Sequence, residues 1–146
     1  QSRTKESIAR DIEAISKTGK AGKIVVVKAW PDPQFNWTNK TKMKLPAAKL
    51  AKEAREKITF PLACFLVAAQ ENSYFCYSWG YREQHGGLIE SPELNKPLGK
   101  PKGDATKKQW VYTRSFEHAD VWVDLAGRKA RINWKPKPDL PPHRRD

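Results

Sequence analysis

The chain has 146 residues, room for one domain on the usual scale of about 100–200 residues, and its 38% hydrophobic and 30% charged content excludes a disordered chain. No run approaches the ~18 apolar residues of a membrane span. Twenty-eight Lys and Arg against sixteen Asp and Glu give a formal charge of +12, which favours polyanionic partners such as nucleic acid, an anionic surface or an acidic polysaccharide.

The opening Gln1-Ser-Arg-Thr-Lys5 is not a signal peptide, so the chain is expected to start as a mature product or inside a longer protein. Over residues 5–16, Ile8, Ile12 and Ile15 recur at helical spacing, with Thr4 as N-cap and Gly19 just beyond the end. Gly19-Lys-Ala-Gly-Lys23 superficially suggests a phosphate loop. That motif needs a strand before it and a helix after it, and here the order is reversed, so a helix end and linker are expected.

Residues 24–30, Ile24-Val-Val-Val-Lys-Ala-Trp30, form a continuous β-branched run stopped by Pro31-Asp-Pro33. The continuity predicts a strand buried on both faces, as in a parallel sheet. A polar loop follows with two sequons, Asn36-Trp-Thr38 and Asn39-Lys-Thr41, which favour a secreted or lysosomal route. Pro46 then opens a helix to about residue 57 with Leu50, Ala54 and Ile58 on one face, and Thr59 could cap a second over 60–69, apolar nearly all round. Residues 74–79, Tyr74-Phe-Cys-Tyr-Ser-Trp79, are the next strand. Helix, strand, helices, strand is a βαβ crossover and predicts an α/β fold. Cys64 and Cys76 are read as buried free thiols, or as one disulfide if their elements are adjacent; no Cys/His set has metal-ligand spacing and no cofactor is expected.

Residues 82–109 are rich in Gly and Pro and predict a loop in which His85 is a solvated turn residue. Residues 110–134 then predict a three-stranded antiparallel meander, with His118 in a turn and Arg114 paired to Glu117. The last stretch, 135–146, is a Pro-rich basic tail. The lysine clusters Lys40/Lys42/Lys44 and Lys100/Lys102/Lys107/Lys108 follow no RNA-recognition or zinc-finger pattern and read as solvated faces, with a sulfated or carboxylated glycan as the alternative for the second.

Three words in this order, Tyr74-Phe-Cys-Tyr-Ser-Trp-Gly80, Pro97-Leu-Gly-Lys-Pro-Lys-Gly103 and Val111-Tyr-Thr-Arg-Ser-Phe-Glu-His118 running into Val121-Trp-Val-Asp-Leu125, resemble the C-terminal end of (β/α)8-barrel glycoside hydrolases of the α-galactosidase-like superfamily. The resemblance implies that 24–30 and 74–79 are the seventh and eighth barrel strands, within the last βα units over 1–81. It also implies that the catalytic carboxylates, after strands four and six, belong to a missing N-terminal barrel portion or a partner chain. The chain alone is then not expected to be a competent hydrolase. Asp32 and Glu83 are the carboxylates at the ends of the two strands here, and glycoside hydrolysis needs two such groups about 5–10 Å apart. Trp30, Trp37, Trp79 and Tyr81 fall at or beyond the same strand ends, where a barrel builds its site. Either they plug the rim or their rings pack on the C–H faces of a polysaccharide or oligosaccharide, one that could be acidic. The alternative is a small basic module that binds nucleic acid or a ribonucleoprotein assembly through lysines and exposed aromatics.

Overall fold

The computed structural model describes residues 3–85 and 89–136; the tail beyond residue 136 and the Gly86-Gly87 pair lie outside the described residues. Helix α1 spans Lys5–Lys20, and the Thr4 hydroxyl accepts from the Ser7 N–H as a sequence cap should. It runs one turn past the expected end, through Gly19, and Gly22 at φ +78° makes the left-handed step into the next element. Strand β1 is Val25–Ala29, followed by the short helix α2, Lys40–Met43, inside the stretch expected to be a polar loop. Helices α3, Ala47–Glu56, and α4, Thr59–Ala68, lead to strand β2, Ser73–Tyr77. Thr59 is the first residue of α4 and makes no cap; Ile58 holds that position.

β1 and β2 pair in parallel, Val25 opposite Ser73 through Ala29 opposite Tyr77, with α3 and α4 in the crossover. They form a two-stranded sheet and no closed barrel is present among the described residues. Burial on both faces is not what the strands show. Val25, Val27 and Ala29 face the helices, while Ile24 is 73% and Val26 68% exposed beside Tyr74 and Cys76. A run of apolar residues on both parities indicates two faces suited to burial, and among the described residues a layer covers one of them.

Two short 3₁₀ turns, Glu83–His85 and Pro92–Asn95, precede a four-stranded antiparallel sheet of β3 (Thr106–Lys108), β4 (Val111–Ser115), β5 (Ala119–Asp124) and β6 (Lys129–Trp134) in sequential order. β3 lies inside the stretch read as loop. It has no apolar alternation, and pairing with β4 alone defines it. Tyr112, Val121 and Val123 turn inward from this sheet.

Helix α4 joins the two sheets. Its Leu62, Ala63, Phe65, Leu66, Val67 and Ala68 are all buried, and it touches α1, β1, β4, β5 and β6. Arg114 secures its end. The guanidinium donates through one nitrogen to the carbonyls of Leu66 (2.9 Å) and Ala69 (2.6 Å) and through Nε to that of Gly103 (3.0 Å). The expected Arg114–Glu117 pair is therefore replaced by a cation at a helix C-terminus, where carbonyls lack intrahelical partners. The Pro-Leu-Gly and Arg-x-Phe words also meet: His118 N–H donates to Leu98 O and Glu117 N–H to Lys100 O, and Pro101 bridges Phe116.

Candidate functional site

At the C-terminal end of β1, the carboxylate of Asp32 accepts from the N–H groups of Gln34 (2.7 Å) and Phe35 (3.2 Å) and pairs with Lys57. Lys57 also reaches Glu53 at 3.2 Å, and Glu53 takes Lys42 at 2.7 Å. These four side chains tie the loop after β1 to α3. Partial burial pushes the Asp32 carboxyl up, but Lys57 and the two backbone donors more than offset it and hold it below its ordinary value. Its hydrogen bond to Lys42 likewise holds Glu53 low, and Asp32 raises Lys57. Asp32 is thus an ionised loop anchor, poorly suited to donate a proton near neutrality.

Lys42 and Lys57 stand 4.7 and 5.7 Å from the ring centroid of Phe35, which is fully buried and meets Trp79 edge-on at 5.1 Å. Trp79, expected at the ligand rim, is a core residue at 2% exposure: the loop after β1 folds Phe35 against it. Its indole N–H has no acceptor among the described residues.

The other three aromatics are open. Trp30 and Trp37 are exposed, and Tyr81 is 87% exposed. Lys28, outside the residues expected at the rim, joins them: its ammonium lies 3.7 Å from the Tyr81 ring centroid. Lys28 and Trp30 share the parity of Ile24 and Val26, so period 2 in the sequence already puts them on the uncovered face. That face runs from apolar Ile24, Val26 and Tyr74 at the start of the strands to Lys28, Trp30 and Tyr81 at their ends. Glu83 is exposed on the first 3₁₀ turn. His85 lies on the same turn, packed so closely on Gly80 that a Cβ there would come within 2.3 Å. His118 sits at the β4–β5 turn.

In the sequon loop, the Asn36 side-chain Oδ1 accepts from Thr38 N–H, whereas Asn39 caps α2 and spends its amide on Gln34. Cys64 and Cys76 are both free: Cys64 points into the helix layer and Cys76 out of the open face. Burial pushes the Cys64 thiol up to about 12.

Two cavities flank this arrangement. One, of about 470 Å³, is lined by consecutive residues 27–33 together with Ile12, Phe60 and Cys64, so it follows the unpaired edge of β1 between α1 and α4. The other, of about 380 Å³, lies on the outer face of the four-stranded sheet. No metal-ligating cluster occurs among the described residues.

The family described as hypothetical glycosyl hydrolase family 15 matches residues 2–120, most of the chain and every element through the start of β5. The chain belongs to that family. No curated protein matches it.

Proposed function

We propose that this member of hypothetical glycosyl hydrolase family 15 contributes the sugar-contacting C-terminal part of a glycoside hydrolase. In this reading β1 and β2 are the last two strands of a (β/α)8 barrel of the α-galactosidase-like type, and the catalytic carboxylates lie outside the chain. The observation that carries it is the pairing of an open aromatic rim, Trp30 and Tyr81 with Lys28, with an uncovered apolar sheet face on the same side of the strands.

Parallel strands are ordinarily covered on both faces, and the exposed Ile24, Val26 and Tyr74 fit side-chain layers supplied by further parallel strands. The groove along the free edge of β1 offers one of them its place. With those strands added, the rim stands at the C-terminal face, where barrel enzymes bind substrate. Trp30 and Tyr81 would pack on pyranose C–H faces, and Lys28 would donate to a sugar hydroxyl or acidic group.

The test is calorimetric titration with neutral oligosaccharides that end in α-galactose. Binding is expected to change little with salt and to weaken at least tenfold in Tyr81→Ala and Trp30→Ala. Absence of binding, or binding indifferent to both variants, would overturn the assignment of the rim. Tight binding to single-stranded nucleic acid that falls steeply with salt would instead favour the basic-module alternative.

A further inference from the structure

The outer face of the four-stranded sheet carries a different arrangement of rings and charges. Register places Thr106, Thr113, Trp122 and Arg131 in one row across the strands, and Ser115, Asp120 and Asn133 in the next. An outward sheet face is usually plain polar surface. Here it is concave, with a cavity of about 380 Å³, inside the range of about 300–1,000 Å³ typical of ligand pockets. Trp122 sits in the middle of it, half-buried, and the Arg131 guanidinium stands 4.6 Å from its ring centroid. Lys102 forms part of the wall.

The charges on this face are unevenly satisfied. Asp120 is taken by Lys135 at 3.1 Å, and Asp104 by Lys20 at 2.8 Å. Among the described residues neither Arg131 nor Lys102 has a carboxylate within ion-pair distance. An aromatic ring with Arg131 beside it and Lys102 in the same wall, neither ion-paired to a carboxylate among the described residues, matches a ligand that is flat and apolar on one side and anionic at its edge. Asn133, Thr113 and Ser115 add short polar groups suited to ring hydroxyls.

We propose that the cavity centred on Trp122 is a second saccharide site, separate from the rim of β1 and β2, and that it takes a uronic acid unit. The ring of the sugar packs on Trp122, and Arg131, with Lys102, holds the carboxylate. The ligand class rests on the carbohydrate reading of the chain; the position and the preference for an acid rest on this face alone.

The experiment is a titration of the full chain with a short oligogalacturonate and with its methyl ester, followed by heteronuclear NMR and calorimetry. The expected result is binding of the acid, with shifts on β4, β5 and β6, and at least tenfold weaker binding of the ester. Trp122→Ala and Arg131→Gln should each weaken binding tenfold or more while Tyr81→Ala leaves it unchanged. Arg131→Gln, at an exposed position, keeps the test valid if Trp122→Ala disturbs the sheet. Binding lost only in Tyr81→Ala would overturn the second site while upholding the rim. Equal binding of acid and ester would overturn the acidic class, and no binding of either would overturn the proposal. The neutral-sugar titration of the rim stands or falls independently.

Discussion

Replacing Arg114 by methionine keeps an unbranched apolar side chain at the position but removes every hydrogen bond the guanidinium makes, along with its place over the Phe116 ring. At the end of α4, Ala69 N–H serves Phe65 O and the Gln70 amide serves Ala68 O, leaving Leu66 O and Ala69 O to Arg114. A buried carbonyl left without a donor costs about 1–3 kcal/mol, and that applies in full to Leu66. The carbonyls of Ala69 and Gly103 are only partly buried and regain water, so each contributes about 0.5–1 kcal/mol. Loss of a cation at the helix C-terminus adds about 0.5 kcal/mol. The sum, about 2.5–5.5 kcal/mol, is a large share of the 5–15 kcal/mol or so that holds a domain of this size. Urea unfolding followed by far-UV circular dichroism should show that loss at unchanged slope. Arg114→Lys, a point donor able to reach one carbonyl, should lose about half as much and stays measurable if the methionine variant does not fold. A methionine variant within about 1 kcal/mol of the parent would refute the capping account.

Gly99 combines φ +74° with a would-be Cβ 2.6 Å from the Glu117 Cβ, so Gly99→Ala should destabilise by about 2 kcal/mol or more in the same urea assay. The carboxyls of Asp32 and Glu53 are held low, so their contribution is complete above their unfolded values near 4 and disappears as pH falls through the folded ones. Lys57, held high, contributes below its unfolded value of about 10.4 and loses this as pH rises through the folded one. Lys57→Met should therefore flatten both limbs of a stability–pH curve and cost about 0.5–1 kcal/mol at neutrality, as suits a half-exposed network. With a maleimide, Cys76 should react in the native protein and Cys64 only on unfolding. If further strands cover the open face in the protein's working state, Cys76 should become protected there, and persistent labelling of an assembled form would count against that cover.

Where a single period governed an element, the sequence was enough to read it. Ile8, Ile12 and Ile15 with Thr4 locate α1, and the β-hairpins from Val111 to Trp134 follow from alternation and turn residues. The burial of β1 is not legible in its sequence, because Ile24 and Val26 signal what a face is fit for, while exposure depends on whether another layer is there. The place of Trp79 is open in the sequence for a related reason. A tryptophan at a strand end suits a rim or a core equally, and the choice was made by Phe35, a distant residue delivered by an ion-paired loop. Two cations are placed by the same alternation. Lys28 alternates with Val26 and Trp30, and Arg114 with Tyr112 and Phe116; period 2 alone puts each cation on its face, though not its partner.

Because α4 is apolar on every side and is shared by both sheets, the chain has no seam along which it could come apart in steps. Cutting it between the crossover and the hairpins would not yield two independent folding units, since either half would expose a side of the same helix to water. The amide protons of α4 should accordingly exchange with solvent only when the whole molecule opens, and at the same rate as those of β5, while the termini of α1 exchange sooner. The two sheets, which share no strand, then melt as a single cooperative body.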